Sequence, residues 1–411
     1  MKNMRLFKKS VVAVTVALAS QQAVAAGFQL NAQSATGIGR AFAGDAVIAD
    51  NASVMARNPA AMALFDSMEL SLGFETIITD IEVKDIKVLG QPVSSLNTDD
   101  VGSTSVAPNI HLIVPVNEKF AWGINAYSNF GTRTEFNNGL QDSIFGGETD
   151  VKSVNFGLAG SYRLNEQWSF GAGLDLIYGK GTLKRGGKIA DIPGGDVLPA
   201  GAKLVDIDGA DGWGVGFNIG TVYELNDNNR FGLSYRYSPE ITAEDGNKEI
   251  KLPLPDMVEF SGYHRLEDTK FAVHYSVQWI GWSAFDKIEF KNASTGLPPQ
   301  LSPTEAVYEW QDGWHYAIGG TYYLNNDWTL RAGYMHDTSA QDKITSISVP
   351  DSNRNWFSGG FTYHINQKSN VDFGFTYLVG EDTDVVEGSG LLTATTRADA
   401  ILVGLQYSRS F

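Results

Sequence analysis

Lys184, Arg185 and Lys188 stand together at the head of an apolar stretch, 185–208, that carries Ile189, Ile192, Val197, Leu198, Leu204 and Val205. A guanidinium matches the two oxygens of a carboxylate with a fork of N–H donors, and apolar surface left exposed marks a binding site. A molecule with an acidic head and a hydrocarbon tail would use both features. The same cations equally suit the phosphates of lipopolysaccharide, and the apolar residues equally suit packing of loops on one another. A second such stretch, 244–255, carries Ile250, Leu252 and Leu254. Each methylene buried there is worth about 0.8 kcal/mol, so a half-buried chain of roughly a dozen gives useful capture. Catalysis has no comparable footing. None of the six histidines sits in His-Glu-x-x-His, and no serine lies in Gly-x-Ser-x-Gly. There is no cysteine, hence no thiolate metal site or disulfide framework. We expect no enzyme, no cofactor and no metal.

The chain opens with Lys2, Arg5, Lys8 and Lys9, then a short apolar run from Val11 to Ala19, then Ala23-Val24-Ala25. This is the order of a secretory signal peptide cut after Ala25, and the run is too short for a spanning helix, which takes about 20 residues. Loss of those four cations takes the formal charge from −16 to −20. So acidic a chain is a poor partner for nucleic acid. No later segment supplies about 18 uninterrupted apolar residues.

Beyond the leader, large apolar residues alternate with small or polar ones. Trp168, Phe170, Ala172, Leu174, Leu176 and Tyr178 alternate with Ser169, Gly171, Gly173, Asp175 and Ile177. Trp213 to Tyr223, Phe271 to Trp279 and Val371 to Tyr377 repeat the pattern. A strand sends alternate side chains to opposite faces, so one face is greasy and the other polar, with aromatics near the ends. That is a transmembrane barrel strand with lipid outside and a polar lumen. Short polar connectors recur at Asn117-Glu118, Asn165-Glu166, Asn226 to Asn229, Glu267-Asp268, Asn325 to Asp327 and Asn366 to Ser369. Longer stretches fall near 81–102, 132–148, 185–208, 244–255, 286–305, 338–352 and 381–395. Short turns at one end and long loops at the other give an all-β, 14-stranded antiparallel transmembrane barrel over residues 67–411. The chain ends on an alternating strand closed by Phe411, which looks like the signal read by the barrel assembly machinery of the outer membrane.

Residues 26–66 do not alternate. They carry too many apolar anchors, among them Phe28, Leu30, Phe42, Met55 and Phe65, for a disordered tail. We expect them to fold into the lumen as an N-terminal hatch, with a helical stretch near Ala60 to Phe65.

Here the chain resembles the FadL-type outer-membrane long-chain fatty acid transporters. The resemblance begins at Ala26-Gly27-Phe28-Gln29-Leu30-Asn31 and continues through Ser34, Gly37 to Ala43, Ile48-Ala49-Asp50 and Arg57-Asn58-Pro59-Ala60. It recurs in Ser128-Asn129-Phe130-Gly131, Thr134-Glu135-Phe136-Asn137, Leu254-Pro255-Asp256-Met257 and Ser261-Gly262-Tyr263. It implies uptake of a long-chain fatty acid or another hydrophobic small molecule, toluene-like hydrocarbons included. It also implies capture in an outer groove, passage to an inner pocket, hatch movement and sideways exit through a kinked third strand. Phe28 matches the residue lining the inner pocket, Asn58, Pro59 and Ala60 match the hatch motif, and Arg185 matches a basic residue facing the ligand head. Gly131 falls at the kink, where a glycine commonly marks a break, and Phe130 beside it is placed to gate the gap. A second basic head-group partner near 300–310 is missing; Glu305 and Glu309 stand there instead. The expected surroundings are outer-membrane lipids and lipopolysaccharide, for a monomer. A surface adhesin or phage-receptor role would live in the loops.

Overall fold

The computed structural model describes residues 27–411; the expected signal peptide lies outside them. Fourteen strands run in chain order: β1 (Glu69–Val88), β2 (Thr104–Pro115), β3 in two pieces (Phe120–Tyr127 and Gly131–Glu135), β4 (Glu148–Arg163), β5 (Trp168–Arg185) and β6 (Val205–Asn226). Next come β7 (Asn229–Tyr237 with Glu240–Asp245), β8 (Lys248–Pro253 with Met257–Arg265), β9 (Phe271–Ile280 with Lys287–Lys291) and β10 (Glu305–Val307 with Gly313–Tyr323). Finally come β11 (Trp328–Asp337), β12 (Arg354–Asn366), β13 (Ser369–Gly380 with Thr383–Glu387) and β14 (Leu392–Ser410). Every neighbour is antiparallel, and β1 closes on β14 from Glu69↔Ser410 to Val88↔Leu392. Closure leaves the sheet without the two unpaired edges that lipid would not tolerate.

The alternation read from the sequence is the wall. Along β5, Leu174 is 62% exposed and faces outward, while Asp175 beside it is 2% exposed and faces the lumen. Aromatic pairs ring both ends of the outward band: Phe120–Tyr162, Trp168–Tyr223 and Phe271–Tyr322 below, Tyr178–Trp213, Phe217–Tyr237 and Tyr334–Phe357 above. Trp168 and Tyr178 lie ten residues apart on β5. At about 3.3 Å per residue and a tilt near 40°, that is an apolar band about 25 Å tall, the height of an outer-membrane barrel.

All six short turns fall between strands where expected. Several stretches read as long loops are partly strand. Residues 244–255 form a tight hairpin, Glu240–Asp245 against Lys248–Pro253, and 81–102, 286–305 and 381–395 each carry ladder as well. The wall therefore rises as a collar beyond the upper girdle. Backbone groups there pair with one another, so polar side chains no longer signal loop.

Residues 27–66 lie inside the wall and are almost wholly buried. They carry a short helix, Ala35–Gly39, and two 3-10 turns, Ala52–Ala56 and Pro59–Leu64; the last coincides with the helical stretch expected near Ala60.

Candidate functional site

In the upper lumen the polar interior gives way to apolar side chains. Phe28 is 2% exposed and sits in a box of rings. Its centroid lies 4.6 Å from Trp282, 5.3 Å from Phe285, 5.9 Å from Trp310 and 6.3 Å from Phe130. Edge-to-face contacts of this kind add about 0.5–1.5 kcal/mol per pair to burial. Beside the box a narrow pocket of about 40 Å³ runs between Phe28, Val151, Leu183, Ile250, Leu252, Ile288 and Tyr308. Leu254 is buried in the same cluster. Leu252 and Leu254 therefore belong to the inner pocket and its surroundings, on a strand and the residue after it, and not to an outer loop.

Leu183 and Tyr308 also form the floor of a wider groove of about 520 Å³ that opens outward between Phe145, Leu204, Phe290, Val307 and Val386. Arg185 lines this groove. Its guanidinium donates to the Glu148 carbonyl (2.9 Å), the Lys184 carbonyl (2.9 Å) and Thr149 Oγ1 (2.8 Å). Burial pushes its pKa down from the ordinary arginine value, against the pull of Tyr308 and Glu387. Glu387 faces the same groove, accepting from the Ile347 N–H at 2.8 Å. Burial pushes its carboxyl up to about 7, opposed by its hydrogen bonds and by the Arg185 charge. The basic cluster of the sequence is split. Lys184 turns to Glu148 (3.3 Å) and Asp208 (3.2 Å), and Lys188 to Asp191 (3.0 Å).

The wall is interrupted beside the box. The lower piece of β3 pairs with β2 from Pro115↔Ala121 to Ile110↔Ala126. Above that, β2 pairs only with β1, and the upper piece of β3 pairs only with β4. The break is Ser128-Asn129-Phe130. Gly131 is the first residue of the resumed strand, and its φ is not left-handed, so the glycine does not itself make the break. The N-terminal segment spans it from within. Gln29 bridges Phe130, Leu30 N–H donates to the Asn129 carbonyl (2.8 Å), and Gly131 N–H donates to the Phe28 carbonyl (2.8 Å).

The groove and the inner pocket thus share Leu183 and Tyr308 as a partition, and Phe28 stands between the pocket and the break in the wall. The family described as outer membrane protein transport protein (OMPP1/FadL/TodX) matches residues 16–411. The long-chain fatty acid transport protein of Escherichia coli K12 is 36% identical over 436 residues, covering 94% of this chain and 95% of that protein. Outer membrane protein P1 of Haemophilus influenzae is 33% identical over 467 residues, covering 99% and 100%. Among solved structures, a Pseudomonas aeruginosa FadL homologue superposes with a TM-score of 0.77 at 20% identity, covering 94% of this chain and all of that one. The Pseudomonas putida toluene transporter TodX superposes at 0.68 with 18% identity, covering 94% and 100%. The chain belongs to the FadL/TodX family of outer-membrane transport proteins.

In this FadL/TodX barrel the N-terminal segment is seated by shape and charge. Asn58 Oδ1 accepts from the Ala60 N–H (3.0 Å), while its Nδ2 donates to the carbonyls of Ala46 (2.8 Å) and Thr221 (3.1 Å). Pro59 starts the 3-10 turn, where its missing N–H costs nothing. The wall makes room with glycine: a Cβ on Gly171 would stand 2.3 Å from Ala60 N, and one on Gly220 2.0 Å from Asn58 Oδ1. Arg40 holds Asp45 (2.9 Å) and Asp50 (2.8 Å), and Arg331 of β11 reaches Asp50 at 3.1 Å. Sequence reading missed Trp282, Phe285, Tyr308, Trp310 and Glu387. Trp282 and Phe285 were legible as aromatics in the stretch that breaks β9, and Tyr308 and Trp310 as aromatics in the one that breaks β10; nothing local marks Glu387.

Proposed function

We propose that this protein takes up long-chain fatty acids across the outer membrane, with residues 26–66 as a movable hatch. The observation that carries the reading is the bridge of Phe28–Leu30 to the break in β3, since one short segment both fills the inner pocket and seals the wall. The tail leaves water in the outer groove, where Val307 and Val386 are exposed at the rim. Arg185 meets the head. The tail then passes Leu183 and Tyr308 and takes the place of Phe28. Withdrawal of Phe28 breaks the two backbone hydrogen bonds to residues 129–131, and the ligand leaves sideways between β2 and β3 into the bilayer. Phe130 gates that exit, and Ser128, Asn129 and Gly131 frame it.

Leu30 N–H and Gly131 N–H bond outward from the Gln29–Phe130 pair, so these two residues form a non-hydrogen-bonded antiparallel pair with Cα atoms about 4.5 Å apart. The natural chain has no cysteine. The double variant Gln29→Cys with Phe130→Cys therefore gives one specific lock. Oxidised, it should bind oleate and deliver none; reduced, it should deliver. Delivery by the oxidised form would refute hatch movement and sideways exit together.

Uptake of aromatic hydrocarbons is the second reading. The box of four rings around Phe28 favours it, as does the likeness to a barrel described as a toluene transporter. Trp282 and Trp310 lie in the box, so their fluorescence separates the two. Saturable quenching by oleate and none by toluene supports fatty acid uptake; the reverse supports hydrocarbon uptake.

A further inference from the structure

On the far side of the Phe28–Leu30 bridge from the box lies a second, polar cavity. Gln29, Arg57, Asn129, Arg236, Glu259 and Gln278 line it. In this closed form it has room for about one water. Side chains alternate along an extended segment, so Phe28 points to the apolar pocket and Gln29 to this one.

Three buried atoms here have no partner: Gln29 Oε1, Asn129 Nδ2 and Arg57 Nε. Gln29 and Asn129 are 0% and 1% exposed. Their other atoms are committed. Gln29 Nε2 donates to the Leu30 carbonyl (2.9 Å) and Asn31 Oδ1 (2.7 Å), and Asn129 Oδ1 accepts from Ser153 Oγ (2.9 Å). The charges are already balanced, Arg57 on Glu259 (2.5 Å) and Arg236 on Asp175. What is left over is two donors and one acceptor with no net charge. A buried polar group without a partner costs about 1–3 kcal/mol, so these three select a ligand that completes them.

One water completes two donors and one acceptor in the closed form; of a long-chain acid, its anion and a hydrocarbon, only the neutral acid can take that water's place, since its carbonyl accepts twice and its O–H donates once. A carboxylate has no proton to offer Gln29 Oε1, and a hydrocarbon offers nothing. We propose that this cavity is a transit subsite for the protonated head of a long-chain acid, entered as Phe28 leaves the box and before the Gln29–Phe130 pair parts. The acid takes one proton from solvent on the way in, so it reaches the gap uncharged, in the form that partitions into lipid. This rests on the transport reading above.

The test is delivery of oleic acid and of methyl oleate by the full barrel in proteoliposomes. The ester keeps the carbonyl and lacks the O–H. In Gln29→Met the preference for acid over ester should fall about tenfold, the worth of one hydrogen bond of about 1.4 kcal/mol. In Asn129→Leu both ligands should slow together and the preference should hold, because both carry the carbonyl. Heat-shifted gel mobility shows that each variant is folded. An unchanged preference in folded Gln29→Met overturns the subsite and makes the cavity a water-filled packing feature. A wild-type barrel that delivers neither ligand overturns the transport reading and the subsite with it.

Discussion

Replacing Phe28 with alanine tests whether the ligand must displace this side chain to pass. In the closed form the inner pocket of about 40 Å³ is too small for an acyl chain, because Phe28 fills the box. Opening costs the two backbone hydrogen bonds at the bridge, about 0.5–1.5 kcal/mol each, and the burial of one phenyl ring, about 1.5–3 kcal/mol. The sum is about 3–6 kcal/mol. At about 0.8 kcal/mol per methylene, a tail must bury roughly four to seven methylenes before displacement is favourable. Shorter acids should bind the outer groove and go no further. Phe28→Ala removes the phenyl share, so the threshold should shorten by roughly two to four methylenes. The assay is Trp282 and Trp310 fluorescence against saturated acids of roughly six to eighteen carbons, with folding checked by heat-shifted mobility, since Phe→Ala in a core costs about 3–5 kcal/mol. Wild type and variant giving the same threshold would refute the reasoning, because the ligand would then be entering without moving Phe28.

Three other outcomes follow from the same geometry. Arg185→Gln should weaken oleate capture roughly tenfold to a hundredfold, from loss of a charge-assisted hydrogen bond worth about 1.5–3 kcal/mol, with octadecene unaffected; competition binding reads both. Glu387, held up to about 7, is neutral below that pH and charged above it. Its negative charge offsets Arg185, so a permanently charged alkyl sulfonate should bind roughly threefold to tenfold tighter as pH falls through 7. In Glu387→Gln that dependence should flatten. Gly171→Val puts a side chain where Ala60 N stands, so the N-terminal segment should become open to protease while the barrel keeps its heat-shifted mobility.

The barrel was legible in the sequence because its two physical requirements are local. Outward residues must be apolar and inward ones need not be, and each short turn must reverse the chain in a few polar residues. Both leave marks within about ten residues. The collar was not legible. Its outward face stands in water on polar side chains such as Glu249 and Lys291, so the alternation of Lys287-Ile288-Glu289-Phe290-Lys291 runs polar outward and apolar inward, the reverse of the membrane band. Phe28, Arg185 and the Asn58-Pro59-Ala60 turn came from resemblance, which located them without their surroundings. The splitting of Lys184 and Lys188 from Arg185 depends on Asp208 and Asp191, whose position no spacing rule gives.

The inner pocket shows why the rest was hidden. A strand that is apolar outside and polar inside cannot build an apolar chamber, so the barrel changes rule part-way up. On β5 the lumen face runs Ser169, Gly171, Gly173, Asp175 and then Ile177 and Leu183, and the last two join the cluster around Phe28. Ile177 thus marked the floor of the chamber in a series otherwise small or polar. The rings themselves come from breaks. Phe130 lies in the interruption of β3, Leu254 in that of β8, and Trp282 and Phe285 in that of β9. A break frees a residue from the alternate-face rule and re-aims it inward. It also leaves neighbouring strands unpaired, which in lipid is tolerable only where something else supplies the partners. At β3 the N-terminal segment supplies them, with the Phe28 carbonyl and the Leu30 N–H. The departure from regular strand that builds the pocket is therefore the same one that makes the wall openable, and a variant that repaired β3 into an unbroken strand would lose both at once.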